Sequence, residues 1–150
     1  MPRTEVVDER FFQVTVDEDA RVYVAQRTEI VFATLEELDQ TMVLLEKTID
    51  RFGRAGWKLI IDLRRVKGRN DEPFEAAMRR HRPRLHRGLD QVGLLVRSVV
   101  GELQILRHIR EDGGPMAVSS NAQLLLDELG LTSAPAGFSV DSGPSVRAEP

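Results

Sequence analysis

The sequence predicts an α/β fold, with a mixed central sheet of about five strands and about four helices. Three observations predict it. Short runs rich in β-branched and aromatic residues recur along the chain, among them KLIIDL and QVGLLV. Amphipathic helical stretches separate the later runs. KLIIDL also breaks into the polar loop RRVKGRND and then Pro73, ahead of a helical pattern. A buried strand feeding a helix through a polar loop is the repeating unit of α/β sheets, and the loop at the strand end is where such proteins place their functional surface.

Residues 11–16 (FFQVTV) and 21–25 (RVYVA) read as a hairpin around the acidic turn DEDA, and residues 29–33 (EIVFA) as a further strand or a continuation after a bend at 26–28. Thr34 and Glu37 have capping-box spacing. From there Leu35, Leu38, Met42, Leu45, Ile49 and Phe52 form one buried helical stripe that ends at Gly53 and Gly56. Trp57 opens the strand WKLIIDL, whose apolar centre suits cover on both faces.

Asn70 or Asp71 caps the next helix, Pro73 sits in its first turn, and Phe74, Ala77, Met78 and His81 share a face. Pro83 is expected to end or kink it. After Gly88 comes the strand 91–96 (QVGLLV), where Gly93 implies close backbone packing. Ser98 caps a helix expected to turn Val99, Leu103, Ile105, Leu106 and Ile109 inward. Gly113 and Gly114 stop it before a short strand at 115–119, and Ser120 or Asn121 caps a last helix bearing Ala122, Leu125, Leu126 and Leu129. The Gly-, Pro- and Ser-rich stretch from Thr132 reads as a flexible tail, so the expected division is a domain over 1–131 and a tail over 132–150.

The chain has 150 residues, 41% of them hydrophobic, which suits one domain with its own core. It has no cysteine and three scattered histidines, so disulfides, thiol chemistry and a structural zinc site are not expected, and no cofactor is implied. With no apolar run of membrane-spanning length and no secretory signal pattern, the expected compartment is the cytoplasm. The net charge of −3 is uneven: residues 64–87 carry nine basic and three acidic side chains, and the rest of the chain sums to −9. A solvated helix face explains such a stretch most simply; an acidic protein partner, nucleic acid or anionic lipid are the functional alternatives.

No catalytic residue is assigned. Ser98 with His81, His86 or His108 lacks a nucleophile elbow, Lys67 and Gly68 lack the glycine loop of a phosphate cradle, and Asp62 stands without a base or metal partner. Asp62 is read instead as an acceptor that holds its loop, with Pro73 fixing the helix edge. Arg79, Arg80, Arg82, Arg84 and Arg87 make a basic stripe, but Pro83 interrupts the straight helix a sequence-specific DNA reader needs.

The helix after Thr34, LIIDLRRVKG at 59–68, VGLLVRSVVGELQI at 92–105 and AVSSNAQLLLDEL at 117–129 carry a resemblance to STAS-type domains. The closer likeness is to the SpoIIAA-like or STAS/SEC14-like branch, and it spans roughly residues 8–131 in element order. The resemblance implies a regulatory interaction domain of the kind found in anti-sigma-factor antagonists. In those proteins a phosphoacceptor sits at the helix start after the central strand; here residues 63–73 contain neither serine nor threonine. Ser98 is the remaining candidate switch, although an ordinary N-cap explains it.

The expected function is thus a non-enzymatic, cytoplasmic regulatory or scaffolding module in bacterial signalling. Its partner surface is expected at Arg64, Arg65, Lys67, Arg69, Asn70, Asp71, Phe74, Arg79 and Arg80, with homodimerisation and peripheral contact with anionic lipid as further expectations. The alternative is a small-molecule or lipid-binding STAS/SEC14-like module, favoured if Phe74, Met78, Leu103 and Leu106 line a pocket.

Overall fold

The computed structural model describes residues 4–8, 10–66, 72–112 and 116–140, with side-chain surroundings throughout these spans except at 4–8, 72, 75, 104 and 108–112. The strands are β1 (Thr4–Asp8), β2 (Phe12–Asp17), β3 (Val22–Arg27), β4 (Lys58–Asp62), β5 (Gln91–Leu95) and β6 (Ala117–Ser119). The helices are α1 (Leu35–Phe52), α2 (Glu72–His86), α3 (Val99–Asp112) and α4 (Ala122–Glu128). The sheet runs β1-β2-β3-β4-β5-β6; the first three strands are antiparallel and the last four parallel, so β3 belongs to both halves. Strand order therefore follows chain order throughout.

Alternation along the strands sorts the core into two layers. Tyr23, Ala25, Leu59, Ile61 and Val92 turn to one face, where Leu38, Met42, Leu45 and Ile49 of α1 and Phe74, Ala77 and Leu85 of α2 cover them. Val22, Val24, Ile60 and Leu95 turn to the other, beneath Ala122, Leu125, Leu126 and Leu129. Gly93 lies on this second face, where a Cβ would sit 2.9 Å from Leu129 Cδ1 and 3.1 Å from Leu125 Cδ1, so α4 packs directly on the β5 backbone. Tyr23 anchors the first layer: it stacks on Trp57 with centroids 4.5 Å apart, and its hydroxyl donates to the Ile49 and Gly53 carbonyls at the end of α1. Burial pushes the Tyr23 phenol well above its ordinary pKa.

Five elements differ from the expectation. The strand at Thr4–Asp8 adds a sixth to the sheet. Residues 29–33 form no strand; Phe32 is buried while Ile30 and Val31 are exposed, because the chain turns here to bring α1 back over the sheet. The second helix runs through Pro83 to His86. The proline is exposed and in the last turn, where its missing amide hydrogen costs the helix little. Val99 and Leu103 of α3 point outward, leaving Ile105 and Leu106 half-buried.

The last difference is the segment after 131, expected as a flexible tail. Over 132–140 it lies on the α4 side of the sheet as a strap: Phe138 is 7% exposed and packs in the second core layer. The Ala136 amide donates to Asp17 Oδ2 at 2.9 Å, and Gly137 (φ 85°) passes so close to Thr15 that a Cβ would lie 2.5 Å from its hydroxyl. Residues 141–150 lie outside the described residues.

Candidate functional site

The C-terminal ends of β3 to β6 share one sheet edge, and the polar groups there begin with Asp62. Its position at the end of a fully covered strand leaves it 1% exposed. Arg64 answers it with two parallel bonds, Nε to Oδ1 at 3.0 Å and Nη2 to Oδ2 at 2.8 Å, and the Arg64 amide donates to Oδ1 at 3.1 Å. The same guanidinium donates to the Ser139 carbonyl at 3.0 Å and lies over the Phe138 ring at 5.8 Å. Arg64 is thus a clamp between the strand end and the strap, because a planar fork can satisfy a carboxylate and a carbonyl together.

The described residues of the surface expected for a partner divide between buried, half-buried and exposed positions. Arg64 is engaged with Asp62 and the strap, and Phe74 is 8% exposed and packs in the first core layer. Arg65 and Arg80 are exposed and Arg79 is half-buried. Pro73 is an exposed first-turn residue of α2. Lys67, Arg69, Asn70 and Asp71 lie outside the described residues. Ser98 caps α3, its hydroxyl accepting from the Gly101 amide at 3.1 Å. Ser120 donates from both amide and hydroxyl to Glu102 Oε1, tying α3 to the end of β6.

His81 is buried between α1 and α2, with Nε2 2.7 Å from Asp39 Oδ1. This pair ties the two helices together. Among the described residues no three His, Asp or Glu side chains gather as a metal would need, and no helix is long and apolar enough to cross a membrane.

A concave site lies elsewhere. Between the sheet and helices α1 and α2 is a cavity of about 80 Å³. The sheet contributes Phe12, Ile61 and Leu94, the turn after β4 contributes Leu63, the loop before α1 contributes Phe32, α1 contributes Met42 and Leu45, and α2 contributes Met78 and Leu85. Met116, just before β6, closes one side. Of the four residues whose convergence would favour a pocket, Met78 alone lines it; Leu103 is exposed and Leu106 half-buried on α3. Met42, Met78 and Met116 meet at this cavity, and their unbranched thioethers adapt to irregular space.

The remaining lining residues are basic: Arg27, Arg82 and His86. Arg27 is held in place by donation from Nε to the Phe11 carbonyl (3.1 Å) and from Nη2 to the Ile30 carbonyl (2.8 Å), and it lies over the Phe32 ring at 4.5 Å. Burial, and then the positive charge of Arg82, lower the His86 pKa to about 4, so its imidazole is neutral at physiological pH. None of these three was singled out as a cavity residue by the sequence; Arg82 and His86 lay hidden in the basic stretch of α2.

No family model matches the chain, and no curated protein matches it in sequence. A solved structure does match in fold: an uncharacterized protein from the DUF3478 family with a SpoIIAA-like fold, from Shewanella loihica PV-4. The likeness has a TM-score of 0.50 at 12% identity, covering 85% of this chain and 93% of that one. The likeness shows the fold: this chain is similar to a protein with a SpoIIAA-like fold, in agreement with the STAS-type resemblance read in the sequence.

Proposed function

We propose that this chain is a non-enzymatic STAS-type binding module whose working site is the cavity between the sheet, α1 and α2, taking a small molecule with an apolar body. The observation that carries this reading is the cavity itself, walled by aliphatic, aromatic and thioether side chains and edged by three basic groups. Small-molecule sites have this composition: an apolar wall for affinity and a few polar groups for orientation. At about 80 Å³ it is roughly half the 150 Å³ of an apolar cavity known to admit benzene. A ligand of that size enters if the methionines change rotamer, which their three rotatable bonds allow.

Three of the four methionines of the chain, Met42, Met78 and Met116, line the cavity, so their methyl groups report on it directly. Titration of methyl-labelled protein with toluene is expected to shift these three resonances saturably, and Met78→Trp, which fills the space, is expected to abolish the response. Wild-type protein whose three resonances stay fixed would sink the reading.

A second reading, a cytoplasmic regulatory domain that binds a protein partner, is favoured by α3. Val99, Val100 and Leu103 are 62%, 65% and 59% exposed over its first two turns, with exposed Arg97 and Arg107 on either side. This flanking charge suits an acidic amphipathic helix. A partner purified and shown to bind wild type directly, yet equally well Val100→Asp and Leu103→Asp, would count against this surface.

A further inference from the structure

The edge of the sheet at β6 carries two outward helix faces of opposite charge. Helix α3 packs on β6, and α4 packs on β5 and β6 from the side of the second core layer. A crossover between parallel strands is right-handed, and that sense puts α3 on the other side of the sheet, with α1 and α2. The exposed face of α3 is Val99, Val100 and Leu103, between Arg97 and Arg107. On α4, Leu124 is 56% exposed, and the exposed Asp127 and Glu128 follow it one turn later on the same face. One face is apolar and basic, the other apolar and acidic. Their heights match as well: β5 and β6 end in register at Leu95 and Ser119, and Val100 and Leu124 lie equally far along the chain beyond those ends. Arg107 lies further along α3, but helical side chains lean toward the helix N-terminus, and an arginine is long enough to reach back to the level of Asp127 and Glu128.

We infer that the partner of α3 is a second copy of this chain, in a two-fold dimer in which α3 of each copy packs on α4 of the other across the β6 edges. The inference rests on the reading of α3 as a partner surface, and it adds who the partner is. A two-fold axis parallel to the strands and just beyond β6 exchanges the two sides of the sheet while keeping strand direction, so it sets each α3 against an α4 at the same height. Leu124 of one copy then enters between Val100 and Leu103 of the other, and Asp127 and Glu128 face Arg107. Symmetry makes this contact twice. Burial of the apolar side chains supplies the affinity. The exposed charges add little strength, but they fix which helix meets which, since α3 against α3 would bring two basic faces together.

Sedimentation equilibrium of the unmodified full chain at about 100 μM, above the micromolar range reached by small protein interfaces, is expected to show a dimer. Val100→Asp and Leu124→Asp, each checked for folding by circular dichroism, are expected to sediment as monomers. Exchanging charges tests the pairing itself. Arg107→Glu in one chain, and Asp127→Lys with Glu128→Lys in another, are each expected to weaken self-association about tenfold, because like charges then meet at both contacts. Mixing these two proteins in equal amounts is expected to restore a dimer of wild-type affinity, since every contact in the mixed pair again joins opposite charges. A monomeric wild type overturns the second copy as partner and leaves the α3 reading standing. A dimer lost in Val100→Asp but kept in Leu124→Asp, or charge variants that do not recover on mixing, overturns the reciprocal arrangement. A dimer that withstands both aspartates overturns the use of α3 in self-association altogether.

Discussion

Replacing Phe138 by alanine tests whether residues 132–140 belong to the folded domain. Phe138 is 7% exposed against Val22, Val24 and Leu95's layer, and burying a phenylalanine removes about 200 Å² from water. At about 25 cal/mol per Å², and allowing for what alanine retains, the substitution is expected to cost about 3 kcal/mol. In a domain of this size that corresponds to a fall in Tm of about 6–12 °C. Urea unfolding followed by Trp57 fluorescence measures it, with the midpoint falling at unchanged slope. A loss below about 0.5 kcal/mol, the range of an ordinary surface change, would show that the strap does not pack on the sheet. Pairing Phe138→Ala with Arg64→Ala in a double-mutant cycle should give a coupling of about 0.5–1 kcal/mol, because Arg64 lies over the ring.

Three other outcomes follow from the same geometry. Asp62→Ala should destabilise by about 3 kcal/mol in chemical denaturation, since it leaves the Arg64 guanidinium without its buried carboxylate; an effect near zero would mean that the pair is not formed. Gly93→Ala should cost about 1–2 kcal/mol, measured as a lower Tm, because Leu125 and Leu129 must move to admit the methyl group. His86 titrates near 6.5 when unfolded and near 4 when folded, so the unfolded chain binds more protons between these values. Its contribution is complete above pH 6.5, is lost as pH falls toward 4, and amounts to at most about 3 kcal/mol; stability measured across that window in His86→Leu should lose this slope.

Elements whose identity is local were legible in the sequence. Thr34 and Glu37 signal the start of α1 because the cap is made within four residues: the Glu37 amide donates to Thr34 Oγ1, and Glu37 Oε1 accepts from the Ala33 amide. The α1 stripe is buried from Leu38 to Ile49 as its spacing requires, although Leu35 at its start is exposed and Phe52 at its end half-buried, and Gly93 marks the close approach of α4. Features decided by tertiary contact were not legible. TEVVD is short, with two of its five residues charged, and its status as a strand comes from pairing with β2 at the sheet edge. The strap has the composition of a tail, and a single aromatic, Phe138, together with Pro135 anchors it. Apolar residues occur nearly all round α3, so its pattern does not say that Val99, Val100 and Leu103 are the ones left outside. The cavity draws its walls from the sheet, α1, α2 and two loops, and no spacing in the chain announces that assembly.

The existence of an accessible apolar site is tested most directly by equilibrating crystals of the protein with xenon gas, which enters dry cavities and is located by its scattering. A xenon atom bounded by Met42, Ile61, Met78 and Leu94 is the predicted result. Crystals that take up xenon elsewhere, or none at all, with those side chains closed over the space, would contradict the assignment of this cavity as the binding site.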